Sequence, residues 1–481
     1  MKSGSRRKSF RVFYTHYCDK LLFFLSFKKP PSLGLYFARL KTETVLSIKQ
    51  THPPCLSGNE VISVNMKTTL VFRLSVVALT LFLLGTEVVA NPIAFIKART
   101  VCLECEEIVN PTRLNQAIHQ AANYLLRMCD DKGKFVYRIN LNPKVKPKPK
   151  YNMLRHAGTM YALAMYEQSY PNAKTRDTLA RAAQFLKKTI APIPGKDDLL
   201  AVWSYPEITG RKAPVQAKLG GTGLGLVALL SLEKIKPGTT PLEDLRKMGR
   251  FIVFMQKGNG SFYSKYIPSR GGRNDRWTSL FYPGEAALGL LMLYEKDPSP
   301  IWAQVATHAL TYLARIRAGK FRVEADHWAL LATTKWLHLN KKPFLDIQIR
   351  QHAVQISESM LATQAQFPIN SINYGSFVTD GRTTPTATRL EGLLAALSFL
   401  STENSLLRKR ITSAVVQGLS FLLRAQIRSG KYAGGMPRAI RPLPSKHPRF
   451  KKSFNRRATE VRVDYVQHAL SAMIQFEQMF Y

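Results

Sequence analysis

Between residues 114 and 480 the chain switches six times between two kinds of helical segment. The first kind is amphipathic. It covers 114–128, 178–190, 245–256, 303–317, 352–365 and 411–426, where apolar residues recur at i, i+3, i+4 and i+7 and make one buried face. Most of these run into a glycine with an aromatic two residues on, as in Gly133-Lys134-Phe135, Gly319-Lys320-Phe321 and Gly430-Lys431-Tyr432. Glycine suits the left-handed cap that ends a helix. The second kind is apolar nearly all round and rich in Ala, Gly and Leu, over 153–166, 219–232, 282–294, 326–337, 388–400 and 464–480. A helix with no polar face belongs in an interior.

The amphipathic segments start at about 114, 178, 246, 304, 351 and 412, spaced 47 to 68 residues apart. A period of that size marks a repeat built from one helical hairpin per unit. With the amphipathic helices outside and the apolar ones inside, the pattern predicts an all-α fold of six helical hairpins closed into an (α/α)6 toroid over 114–481. An open superhelical solenoid is the rival arrangement. Strand signals are weak throughout, so no separate β domain is expected.

Upstream, residues 1–65 show no sustained period and read as an extension outside the working protein. Met66 begins a second pattern: Lys67 and Arg73, then the apolar run LSVVALTLFLL, then Val88-Val89-Ala90 with small residues at the −3 and −1 positions. That pattern predicts a signal peptide over 66–90, cleavage near Ala90, and a secreted or periplasmic location. An uncleaved N-terminal anchor is the alternative. Residues 91–113 form a tail with Cys102 and Cys105 in C-x-x-C spacing. Zinc would need a second ligand pair, and none is spaced for it. In an oxidising compartment one disulfide among Cys102, Cys105 and Cys129 is the expectation.

The net charge of +39 needs a partner. Removing residues 1–90 takes away 13 basic and 4 acidic residues and leaves +30, so the basicity belongs to the folded part. Three long loops that lead from an outer to an inner segment, 139–155, 260–276 and 430–462, hold 19 Lys and Arg against 2 Asp and Glu. The loops on the opposite face, 166–177, 233–247, 294–297 and 337–350, hold 10 against 8. One mouth of the ring is therefore strongly positive, which concentrates anions. Export argues against nucleic acid. Anionic polysaccharide or another acidic envelope polymer fits, and so does association with a membrane surface. A solvated basic face with no ligand is the plain alternative.

The inner segments begin at that same mouth, and their first turns carry the polar residues. Candidate catalytic groups are Glu285, Asp326, Glu391, Asp464 and His156. Candidate substrate-binding groups are Tyr151, Arg155, Lys218, Tyr282, His327, Trp328, Arg389, Arg462 and Tyr465. Any one carboxylate in a first turn is explained by helix capping, and a lone histidine by a satisfied core. Four hairpins in succession, however, place a carboxylate where an apolar helix meets the mouth. Carboxylates whose environments differ can split into acid and base. Aromatic residues beside them suit sugar rings as well as packing. No metal and no cofactor is expected.

With this repeat and its G-K-F-type turns, the stretch from about 114 to 481 resembles the (α/α)6 toroid superfamily of six-hairpin glycosidases, uronyl epimerases, polysaccharide lyases and terpene cyclases. The D-x-D-D acid of the cyclases is missing, since Asp130-Asp131 falls at the end of an outer segment. The zinc-binding lantibiotic cyclases place Cys on inner helices, where this chain has none. The resemblance therefore implies a carbohydrate-active enzyme, hydrolase or lyase/epimerase; with the 66–90 pattern and the basic mouth, the expectation is an exported enzyme that processes an acidic polysaccharide with carboxylates at the mouth. The alternative is a non-catalytic envelope protein that binds anionic glycan or lipid.

Overall fold

A computed structural model describes residues 109–210, 212–339, 347–401 and 404–481. The upstream extension, the signal peptide and the tail up to residue 108, with Cys102 and Cys105, lie outside the described residues. The described part contains twelve helices of thirteen residues or more. They are α1 (Pro111–Arg127), α2 (Met153–Ser169), α3 (Ala173–Lys187), α4 (Leu219–Ile235), α5 (Leu242–Phe254), α6 (Tyr282–Lys296), α7 (Pro300–Arg317), α8 (His327–Leu339), α9 (Ile347–Leu361), α10 (Thr383–Leu397), α11 (Ser405–Ala425) and α12 (Val463–Phe480).

The even-numbered helices form the inner ring. Each packs on the next, α2 on α4 and so on to α10 on α12, and α12 packs back on α2. The fold is thus the closed (α/α)6 toroid and not the open solenoid. The odd-numbered helices sit outside against their partners. Sequence explains both layers. On α1 the buried residues Leu114, Ala117, Ile118, Ala121 and Leu125 share one stripe, whereas residues 219 to 233 of α4 are all buried. Full burial of one leucine is worth about 1.5–3 kcal/mol, so the inner ring supplies much of the core. Close approach of the inner helices depends on glycine. A Cβ on Gly223 of α4 would stand 2.9 Å from the backbone of Glu285 and Ala286 on α6, and one on Gly284 of α6 would stand 2.6 Å from the amide nitrogen of Ala329 on α8.

Four helix starts fall about five or six residues before expectation, among them α3 at Ala173 rather than 178 and α11 at Ser405 rather than 411. α10 begins at Thr383, five residues before the expected 388, because Pro385 is tolerated within a first turn. α9 begins at Ile347 rather than 352. The larger departure is strand. Strands β1 (Arg138–Asn140), β2 (Ile190–Ile193), β3 (Lys196–Ser204), β4 (Gln216–Lys218), β5 (Lys265–Ile267), β6 (Gly272–Asn274) and β7 (Glu460–Arg462) are present. β2 to β6 make an antiparallel meander, and β1 pairs with β7 so that Arg138 faces Arg462. All but β3 are three or four residues long, too short for a period to register. β3 is buried on both faces near its end, so its side chains do not alternate apolar with polar. β4 runs straight into α4 and β7 into α12, which fixes how these helices enter the mouth. No helix among the described residues is long and apolar enough to cross a membrane.

Candidate functional site

The inner helices all point their N-termini toward one mouth, where a cavity of about 1140 Å³ opens. Five residues at N-cap positions line it: Asn152, Lys218, Phe281, Arg382 and Arg462. Converging helix N-termini carry partial positive charge and unpaired N–H groups, which favours anions. The side chains add to this. Eight Lys and Arg residues line the cavity against three acids, Glu285, Glu324 and Asp464. Trp277, Tyr282, Trp328 and Tyr465 supply ring faces. Trp277 is half-exposed at the rim, 4.7 Å from Lys265 Nζ and edge-on to Tyr282.

At one side Asp464 is buried and saturated. It accepts from Arg155 Nε at 2.7 Å, from Arg462 Nη2 at 2.8 Å and from Arg462 Nε. Burial alone would raise its pKa, but the two guanidinium groups hold it well below the usual carboxylate range. Asp464 thus fixes two arginines at the cavity wall, and its oxygens are not available as a nucleophile.

The floor is different. His468 Nδ1 hydrogen-bonds Glu391 Oε2 at 2.7 Å, and both groups are buried. A carboxylate accepts, so Nδ1 carries the proton, and Nε2 has no partner among the described residues. Burial would depress His468, yet Glu391 beside it overrides that and raises its pKa. His327 stacks edge-on to His468 at 5.3 Å between ring centroids. Both of its ring nitrogens are buried without a hydrogen bond, with Nε2 3.8 Å from Glu391 Oε2. Burial, with His468 and Arg389 nearby, holds it neutral by pushing its pKa well down. Glu285, against the cavity on α6, has an unpartnered Oε2. A Cβ at Gly220 would collide with this oxygen, so glycine makes its berth. Burial and nearby Asp326 push Glu285 well above the usual carboxylate range against the pull of Arg155, which favours its protonated form. Buried unpaired polar atoms cost about 1–3 kcal/mol each, and here several face one cavity.

The structure brings most of the expected residues together: Glu285, Asp464, Arg155, Lys218, Tyr282, His327, Trp328, Arg389, Arg462 and Tyr465 line the cavity, with Glu391 directly behind His468. Three expected residues lie elsewhere. His156 is fully buried, with Nδ1 on the Tyr151 hydroxyl at 2.8 Å and Nε2 on the Ala182 carbonyl at 2.9 Å. It cannot carry protons to a substrate. Tyr151 also accepts from the Phe135 amide, and burial pushes its pKa far up, so it is a core tyrosine and not a binding residue. Asp326 pairs with Arg317 at 2.9 Å and caps α8 through the Ala329 amide at 3.2 Å. Its chemistry is spent on structure. Sequence reading missed Lys265, Arg382, Arg438 and Arg457, cavity cations from the basic loops and the start of α10. Loop charge signalled that such residues exist but not which of them turn inward. It assigned no metal either, although the ligand atoms of His327, Glu391 and His468 lie within 4.8 Å of one another. Two imidazoles and a carboxylate are a zinc-type donor set, but as arranged two of the three donors are occupied by their own hydrogen bond.

Solved structures of similar fold are carbohydrate-processing proteins of the six-hairpin glycosidase-like superfamily. A sugar epimerase from a ruminal bacterium is 11% identical, with a TM-score of 0.56 over 77% of this chain and 99% of its own. Cellobiose 2-epimerase from Spirochaeta thermophila is 14% identical, with a TM-score of 0.55 over 82% of this chain and 100% of its own. A polysaccharide lyase is 14% identical, with a TM-score of 0.50 over 78% and 98%. At such identities the likeness is one of fold. No protein-family model matches the chain, and no curated protein matches it in sequence.

Proposed function

We propose that the protein is an exported carbohydrate-active enzyme that moves a proton at the carbon beside a carboxyl or carbonyl group of an acidic carbohydrate, as an epimerase or a lyase. The observation that carries this reading is the cavity floor: His468 fixed through Nδ1 by Glu391, its Nε2 unpartnered, beside a neutral His327. This is an oriented general base, held in one tautomer by its carboxylate partner. The cations of the wall, Arg155 and Arg462 first, hold the substrate carboxylate and stabilise the charge that spreads onto it once the proton leaves. His468 Nε2 takes the proton. Return of a proton to the opposite face from Glu285, whose protonated form burial favours, completes an epimerisation. Loss of the group on the neighbouring carbon, with a proton supplied by the carboxyl of Glu285, completes an elimination. The hydrolase reading is weaker, because Asp464 is saturated and Asp326 lies outside the cavity. Export is supported by the 66–90 pattern, and an acidic substrate by the charge of the mouth.

The test is solvent-isotope exchange. Acidic oligosaccharides incubated with the protein in D2O should gain one deuterium per turned-over unit, or yield unsaturated ends, by mass spectrometry. A folded His468→Asn variant should do neither. Binding without exchange or cleavage across a panel of acidic glycans would instead establish a glycan-binding protein.

A further inference from the structure

The central cavity does not stop at its rim. A second groove of about 420 Å³ lies beside it, and the two share Arg155, Arg457 and Arg462. The groove's outer wall is the extended stretch that carries Lys146, Lys148 and Lys150, with Arg456 from the loop before α12. Its one acid, Glu460, is already neutralised, by Arg457 at 2.6 Å and Arg138 at 3.4 Å. Arg138 keeps a buried Nε with no partner. The three lysines and Arg456 are exposed and pair with no described carboxylate.

A solvated basic loop would let like charges splay apart. Here Pro147 and Pro149 fix the backbone between the lysines, and all three lysines line one groove. At ~3 Å per residue an extended stretch spreads these ammonium groups along ~12 Å. That is the footprint of a repeating anion, not of one carboxylate. The groove also continues directly from the arginines that face the reacting position.

We infer that this groove is a subsite for an anionic glycan chain leaving the central cavity, so that the substrate is a polymer and not a free mono- or disaccharide. The inference rests on the reading of the cavity given above, but binding can test it without turnover. End-labelled dimers and dodecamers of galacturonate, of alginate and of chondroitin sulfate are titrated against the full chain by fluorescence anisotropy at two salt concentrations. Lys146 and Lys148 line the groove and not the cavity. Lys146→Glu/Lys148→Glu should therefore weaken the dodecamer about tenfold or more and flatten its salt dependence, with the dimer moved less than about twofold. Lys174→Glu/Lys236→Glu, an equal charge change on the opposite face, should leave both ligands where they were. Equal loss for dimer and dodecamer, loss of the same size in the control, or no dodecamer that binds more tightly than its dimer overturns the subsite. Loss of the catalytic reading looks different: full exchange in His468→Asn with length-dependent binding intact.

Discussion

Two buried histidines, His156 and His468, sit on neighbouring inner helices and have opposite fates. On α2, His156 has both ring nitrogens bonded, to Tyr151 and to the Ala182 carbonyl. On α12, His468 has one nitrogen bonded to Glu391 and the other unpartnered, beside a His327 with neither bonded. The carboxylates divide the same way. Asp326 is closed by Arg317 and a helix N-terminus, whereas Glu285 leaves an oxygen bare. A closed set of hydrogen bonds is a structural device. An open set that faces a cavity is strain that folding alone has no reason to keep. The pairing of each polar atom, more than residue type, separates scaffold from chemistry.

His468→Asn should cut turnover by about 10²–10⁴-fold, the usual worth of a general base, with the melting temperature little changed. Equal loss of stability and activity would put His468 in the scaffold. Asp326→Ala should do the reverse. It removes the close partner of buried Arg317, which keeps only Glu324 at 3.8 Å, and should cost about 3–5 kcal/mol in urea unfolding, while turnover of the folded fraction falls far less than in His468→Asn.

Smaller and more discriminating is the effect of pH. His156 is depressed to about 4 and His352 to about 3, in both cases chiefly by burial. Their unfolded values lie near 6.5. The unfolded state therefore binds more protons between about pH 6.5 and 4, and stability should fall as pH drops through that window. His468 runs the other way. Its folded pKa is raised, so its contribution is full below about 6.5 and fades as pH rises through the folded value. Thermal unfolding across pH 4–8 in wild type and in His156→Phe reads the difference, because the variant should lose part of the acid slope. An unchanged slope would mean that His156 titrates normally.

The smallest expected change is Glu285→Gln. It removes a buried acid with no partner, so stability should hold or rise slightly, within about 1 kcal/mol, while turnover falls. A clear drop in the melting temperature would reassign Glu285 to the scaffold, alongside Asp326.

Sequence by itself determined the two helix types, their sixfold alternation and the side of the ring that carries the charge, because each follows from local periodicity or from counting along the chain. It also placed Glu285, Asp464 and His327 in the first turns of inner helices and Glu391 on an inner helix, but did not single out His468. The rest was decided by tertiary structure. Whether the ring closes depends on α12 meeting α2, a contact between residues about 300 positions apart. The small strands depend on partners that no period announces. Asp326 and His156 looked like site residues because they occupy first turns of inner helices, and they left the site only because Arg317, Tyr151 and Ala182 reach them in three dimensions. Which hydrogen bonds stay open is settled by packing between segments far apart in the chain, and for that reason the chemistry of the cavity is a property of the fold.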